Sequence, residues 1–272
     1  MHWLSLSMAA MFVGALICGV FAGIIAGLFG VGGGIIIVPV LLLLFHLDGI
    51  NPVIAMQLAV GTSLATIVIT NISATWNHHC RDGVHWQLTR QYLPGVLLGA
   101  WLGSQLAVLM PGTLLIKLFG LFEIGVGAKM IHAANGTNPG QTSLSANINP
   151  LIGLGVGSLS SMFGIGGGTL SVPALNLISG LPMRQAVGTA SAIGLALATA
   201  GTLGYIHAGW NNLELPTGAV GYVMPVAFLG IICGTLLTTP IGVRMAHALE
   251  PVLLKRGFGF FLLAVGIRLL WK

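Results

Sequence analysis

Two clusters of glycine hold the peptide N–H groups that a ligand could approach most directly in this chain. The first reads Gly30-Val31-Gly32-Gly33-Gly34 and the second Gly164-Ile165-Gly166-Gly167-Gly168. Each follows a phenylalanine, Phe29 or Phe163, and each runs on to a Val-Pro pair, at 38–39 and 172–173. A residue without a Cβ leaves its backbone open to close approach. The first N–H groups of a helix have no internal partner and sit at the positive end of its dipole. With short helices beginning near Ile35 and Thr169, Gly32, Gly33, Gly34 and Gly166, Gly167, Gly168 would present donors suited to a small, hydrogen-bond-accepting anion. Glycine serving only close helix packing would explain one such cluster. A second copy of the whole pattern favours a binding site.

Side chains nearby could add to that chemistry. Ala-Val-Gly-Thr occurs at 59–62 and again at 186–189, and supplies Thr62, Ser63, Thr189 and Ser191 as candidate hydroxyl donors. The competing reading is that these hydroxyls bond back to carbonyls of their own helix. Thr169 and Ser171 occur only in the second copy, where the first has Ile35 and Ile37, so the two halves would bind unequally at one central site. Glu123 is an acid in the middle of an apolar stretch, where a charge costs at least ~2.5–3.5 kcal/mol. It is a candidate for a coupled proton, or else a neutral acid hydrogen-bonded between helices. Arg184 is a candidate charge partner for a substrate, with an arginine reaching to the membrane interface as the alternative.

Other chemistry finds no pattern. His78, His79 and His85 share a loop with Cys80 and Asp82 but lack a recognised ligand spacing, so no metal is expected. Neither glycine cluster is followed by Lys-Ser/Thr, neither fits a dinucleotide fingerprint, and no nucleophile–base motif occurs. The chain reads as a non-enzyme without cofactor. Its three cysteines are scattered and read as packing thiols.

The elements that would position these residues lie in lipid. Of 272 residues, 56% are hydrophobic and only 6% charged, with mean hydropathy +0.98. A soluble domain carries about 25% charged residues, so the bilayer must be the solvent for most of this surface. Ten Lys and Arg stand against five acids without forming a basic run, which gives no nucleic-acid footprint. The N-terminus has no Lys or Arg ahead of the first apolar run, which therefore reads as a retained membrane segment.

Apolar stretches run over Met8–Phe29, 35–47, 55–76, 92–110 and 113–131, with a polar loop at 77–90. A polar stretch at 133–149 reads as a linker, after which 151–163 and 169–178 replay the opening. Pro94, Gly99 and Gly103 return in order as Pro225, Gly230 and Gly234, and Gly127 and Lys129 as Gly266 and Arg268. The chain is a duplication: a first repeat at 1–132, the linker, and a second repeat at 150–272. The expected fold is an all-α polytopic membrane protein of two repeats. Each repeat has a glycine-broken helix or hairpin plus three spans.

Five apolar legs per repeat leave the chain on the opposite face, so the repeats should be inverted. With the 77–90 loop cytoplasmic, Arg81, Arg90, Lys129, Arg184, Arg244, Lys255 and Arg256 fall inside, and Lys117, Arg268 and Lys272 outside. That asymmetry obeys the positive-inside rule and puts both termini outside. The small-residue ladders Gly19, Gly23, Gly27 and Gly153, Gly157, Ser161 mark helix faces for close packing. Dimerisation through lipid-facing glycine stripes is left open.

These residues resemble the TauE/SafE permeases. The resemblance rests on Phe-Gly-x-Gly-Gly-Gly-x3-Val-Pro at 29–39 and 163–173, on the two Ala-Val-Gly-Thr stretches, and on the closing Gly266-Ile267-Arg268-Leu269-Leu270. It implies a multi-pass inner-membrane transporter of sulfite, sulfonates or related organosulfur anions. The alternatives are a passive anion channel or a carrier of some other small anion. The His-rich loop at 77–90 departs from the family pattern.

Overall fold

The computed structural model describes residues 8–29, 33–132, 148–248 and 251–271. The first half contains α1 (Met8–Phe29), α2 (Gly34–Leu47), α3 (Pro52–His79), α4 (Trp86–Leu109) and α5 (Gly112–His132). The second contains α6 (Asn149–Phe163), α7 (Gly168–Pro173), α8 (Met183–Gly209), α9 (Pro225–Ala248) and α10 (Pro251–Leu270). Beyond Pro173, α7 widens into π-helix over Ala174–Ile178. A proline there removes one N–H from the ladder, and a single wide turn is a common accommodation. The described residues contain no strand, only an isolated bridge between Val220 and Val223.

The two broken helices fold back on themselves. Gly14 of α1 lies against the side chain of Leu44 in α2. Met8 and Met11 at the start of α1 share a cavity with Gly49 and Ile50 just past α2. In the second half, Tyr92 touches Gly153 near the start of α6 through its carbonyl and holds Ser179 after α7 through its hydroxyl at 2.9 Å. Each pair is therefore a helical hairpin, and the described glycines at its turn, Gly33 and Gly34 or Gly164, Gly166 and Gly167, are buried. The 35–47 and 169–178 stretches are too short to cross a bilayer, since about 20 residues are needed.

The halves exchange partners. Gly19 and Gly23 of α1 press on Ile231 and Thr235 of α9, and Gly230 and Gly234 press back on Phe12 and Leu16. Thr238 adds a hydrogen bond to the Val20 carbonyl at 2.9 Å. In the same way Gly153 and Gly157 of α6 press on Tyr92 and Val96 of α4, while Gly95, Gly99 and Gly103 press on Pro150, Leu154 and Ser158. Lipid supplies no hydrophobic drive between helices, so backbone proximity through small residues provides the packing energy.

At the centre, helices that correspond between the halves face each other and run antiparallel. Gly61, Leu64 and Asn71 of α3 meet Tyr205, Gly201 and Gly194 of α8, one chain rising as the other falls. Gly120 and Gly127 of α5 meet Gly266 and Gly259 of α10 in the same sense.

The outer surface suits hydrocarbon. Val13, Ile17, Phe21, Leu98, Leu106 and Leu237 are exposed, and α3, α4 and Arg184–Gly209 have the length and composition to cross a membrane. Exposed Trp76 and Trp86 mark one end of the bundle, and Trp210 and Trp271 the other, as an aromatic belt would.

Two boundaries differ from the sequence reading. The 77–90 loop shrinks to 80–85, because α3 continues to His79 and α4 starts at Trp86. Asn77, His78 and His79 are polar but do not break a helix. Asn77 donates to the Ser73 carbonyl at 2.8 Å, and the chain turns only at Asp82, whose φ is 53°. Asn149, read as linker, opens α6 and donates to Gln91 at 2.7 Å. Residues 133–147 of that linker lie outside the described residues.

Candidate functional site: two glycine tips in contact

The two hairpin tips touch. A Cβ added at Gly34 would fall 2.5 Å from the Gly164 carbonyl oxygen and 3.1 Å from Cα of Ile165. Gly164 in turn lies against Val60 of α3 and Val38 of α2. Gly167 packs on Cα of Gly194 in α8, and Gly33, Gly34 and Gly164 to Gly167 are all buried. Gly168 is half-buried. Gly33 and Gly164 adopt left-handed backbone with φ of 72° and 66°, which a Cβ resists. Gly32 lies outside the described residues.

Acceptors and donors at the tips are treated differently. The Gly164 carbonyl accepts from Ser63 Oγ at 2.8 Å, and the Ser161 carbonyl from the Tyr205 hydroxyl at 3.3 Å. The Ser160 carbonyl takes the Ile165 N–H at 2.9 Å. Neither α2 nor α7 has a side-chain cap at its start. Ile36 and Ile37 donate to Gly33, and Ser171 to Gly167. The N–H groups of Gly33, Gly34 and Ile35, and of Gly166, Gly167 and Gly168, find no acceptor among the described residues. With the Gly33, Gly164 and Gly167 carbonyls engaged and no acceptor for the tip amides among the described residues, the junction is rich in donors there, and buried N–H groups left unpaired favour an acceptor ligand.

The second tip is the more polar. Ser160 Oγ, Thr169 Oγ1 and Ser171 Oγ are buried without partners among the described residues, while Ile35 and Ile37 stand at the places of Thr169 and Ser171 in the first. Asn71 of α3 adds an amide that the sequence reading did not single out. It is buried, it makes no described hydrogen bond, and its Nδ2 lies 2.7 Å from where a Gly194 Cβ would be, beside Gly167. An Asn inside an apolar span was the available signal.

The other candidate hydroxyls hold the scaffold. Thr62 accepts from the Met224 N–H and Thr189 from the His85 N–H, both at 2.9 Å. Met224 and His85 immediately precede α9 and α4, so each threonine takes up a free N–H at a helix start in the opposite half. The glycines just before them, Gly61 and Gly188, press on the carbonyls of Tyr222 and Gly83. Ser191 bonds back to the Val187 carbonyl at 3.1 Å. Arg184 is exposed at the first turn of α8, away from the tips. Glu123 is fully buried on α5, and neither carboxyl oxygen has a partner among the described residues. The reading of an acid hydrogen-bonded between helices therefore finds no partner there.

Comparison with known proteins settles the family. Residues 15–269 match the profile described as "Sulfite exporter TauE/SafE". The chain belongs to the TauE/SafE family. It is similar to a "probable membrane transporter protein" of Haemophilus influenzae, 33% identical across 96% of this chain and 100% of that one. A Xylella fastidiosa protein with the same description is 31% identical over 93% of each chain. A third, from Methanocaldococcus jannaschii, is 29% identical over 87% of this chain and 86% of its own. No solved structure matches. This TauE/SafE protein is accordingly a polytopic, helical membrane protein of a transporter family.

Proposed function

We propose that the protein is a secondary transporter of a small sulfur-containing anion, such as sulfite or a sulfonate. It would work by alternating access between two inverted repeats, 1–132 and 150–272. The observation that carries this reading is the contact between two oppositely directed hairpin tips, Gly34 against Gly164 and Ile165, whose amides find no acceptor among the described residues while the Gly33 and Gly164 carbonyls are engaged. Inversion is supported by the antiparallel pairing of α3 with α8 and of α5 with α10. The family description supplies the sulfur chemistry.

The anion would sit between the tips, held by the amides of Gly33 and Gly34 and of Gly166 to Gly168, with Thr169, Ser171 and Asn71 strengthening the second side. Ser63 acts indirectly, by keeping the Gly164 carbonyl turned to itself. Each hairpin reaches the centre from a different end of the bundle, so drawing back one tip opens the site to one face only. The charge asymmetry and the family support termini outside and an inner-membrane location.

Counterflow of labelled sulfite and methanesulfonate in proteoliposomes tests the reading. Wild type should show saturable counterflow, which distinguishes a carrier from a channel. Gly168→Val, placed at a half-buried position, should lose at least about tenfold in flux, the equivalent of about 1.4 kcal/mol, with its melting temperature kept. Equal flux in the variant would rule out the glycine site.

A further inference from the structure

We infer that Glu123 is a proton-binding site coupled to the hairpin movement, and that it lies in one half only. Leu115, Phe119 and Glu123 follow one another at four-residue spacing on α5, and all three are fully buried. They therefore form one stripe on the helix. Phe119 and Phe122 both stack on Phe163, at 5.9 and 5.2 Å between ring centroids, and Phe163 is the residue that leads into the Gly164 turn. The carboxyl thus stands one turn, about 6 Å of helix rise, beyond the aromatic contact that anchors the second tip.

No structural duty accounts for the acid. Both carboxyl oxygens are buried without a hydrogen bond among the described residues. The corresponding position in the other half is Leu262, also fully buried, so the fold is satisfied by a hydrocarbon there. The register of α5 on α10 sets Glu123 opposite Leu262 and Leu263. The charged groups on neighbouring elements lie elsewhere along them. On α5 these are Lys117, Lys129 and His132, on α10 Lys255, Arg256 and Arg268, and on α3 His78 and His79 at its last turn, while α6 has none.

A carboxyl closed off from water is cheaper to hold as the neutral acid, and one opened to water is cheaper to ionise. Withdrawal of the second tip carries Phe163 away from Phe119 and opens the stripe. On that face the carboxylate takes a proton from hydronium and leaves water, and when the molecule opens to the other face its O–H breaks and the proton passes to water there. A proton would move with each monoanion.

This rests on the transporter reading, and the tests separate the two. Methanesulfonate is the probe, because it is a monoanion with no proton of its own to confound the result. With one proton per anion, a gradient of one pH unit drives about tenfold accumulation. Wild type should reach it, whereas Glu123→Gln should keep counterflow and lose accumulation. Wild-type counterflow that ignores the gradient, or a variant that still accumulates, would overturn the inference and leave the carrier standing. Independently of flux, the infrared band of a buried protonated carboxyl should be present in wild type at neutral pH and absent from Glu123→Gln. Its absence from wild type would overturn the inference. Glu123→Leu, which copies the other half, should melt no lower than wild type, and a clear drop would assign the acid a structural role instead.

Discussion

Thr62 and Thr189 each accept a structural hydrogen bond, which leaves their own O–H for the donor role expected of them. Each receives an N–H from the residue ahead of a helix belonging to the other half, buried at Met224 and part-buried at His85. Removing the acceptor leaves that N–H orphaned, at a cost of about 1–3 kcal/mol. Thr62→Val and Thr189→Val should therefore lower the melting temperature clearly in detergent. Ser191→Ala, which deletes only a bond to its own helix, should change it little. The sequence showed that these threonines recur together with Gly61 and Gly188. It did not show why, because the partner N–H lies far along the chain and leaves no local period. Ser63 is a mixed outcome: it does donate at the tip, but to the Gly164 carbonyl.

At the scale of elements, the glycine ladders were legible because small residues at four-residue spacing can only be a helix face meant for another backbone. Which helix they meet was not legible: α1 takes α9 and α6 takes α4, both across the halves. The fold-back of α2 and α7 was open for a related reason, since a short apolar stretch after a break has the same composition whether it continues or returns. The ladders make a sharp test on one helix. A Cβ at Gly153 would meet the Tyr92 carbonyl at 2.6 Å, whereas one at Gly155 meets nothing within 4 Å. Gly153→Leu should cost at least about 1–3 kcal/mol through overpacking and Gly155→Leu close to nothing, read as thermal melting of the purified proteins. Equal melting of the two would refute the α4–α6 seam.

In the whole molecule, two hairpins from opposite ends converge on one buried, donor-rich junction, and the most direct probe of it is chemical. With Cys18, Cys80 and Cys233 replaced by alanine, Leu170→Cys places a thiol at a half-buried position two residues past Gly168 without altering the tip glycines. A small membrane-impermeant thiol reagent should label it through the pathway on one face. Methanesulfonate should slow that labelling severalfold, while sucrose at the same concentration should not. Labelling indifferent to the anion, or a thiol unreactive from both faces, would contradict an anion site between the tips.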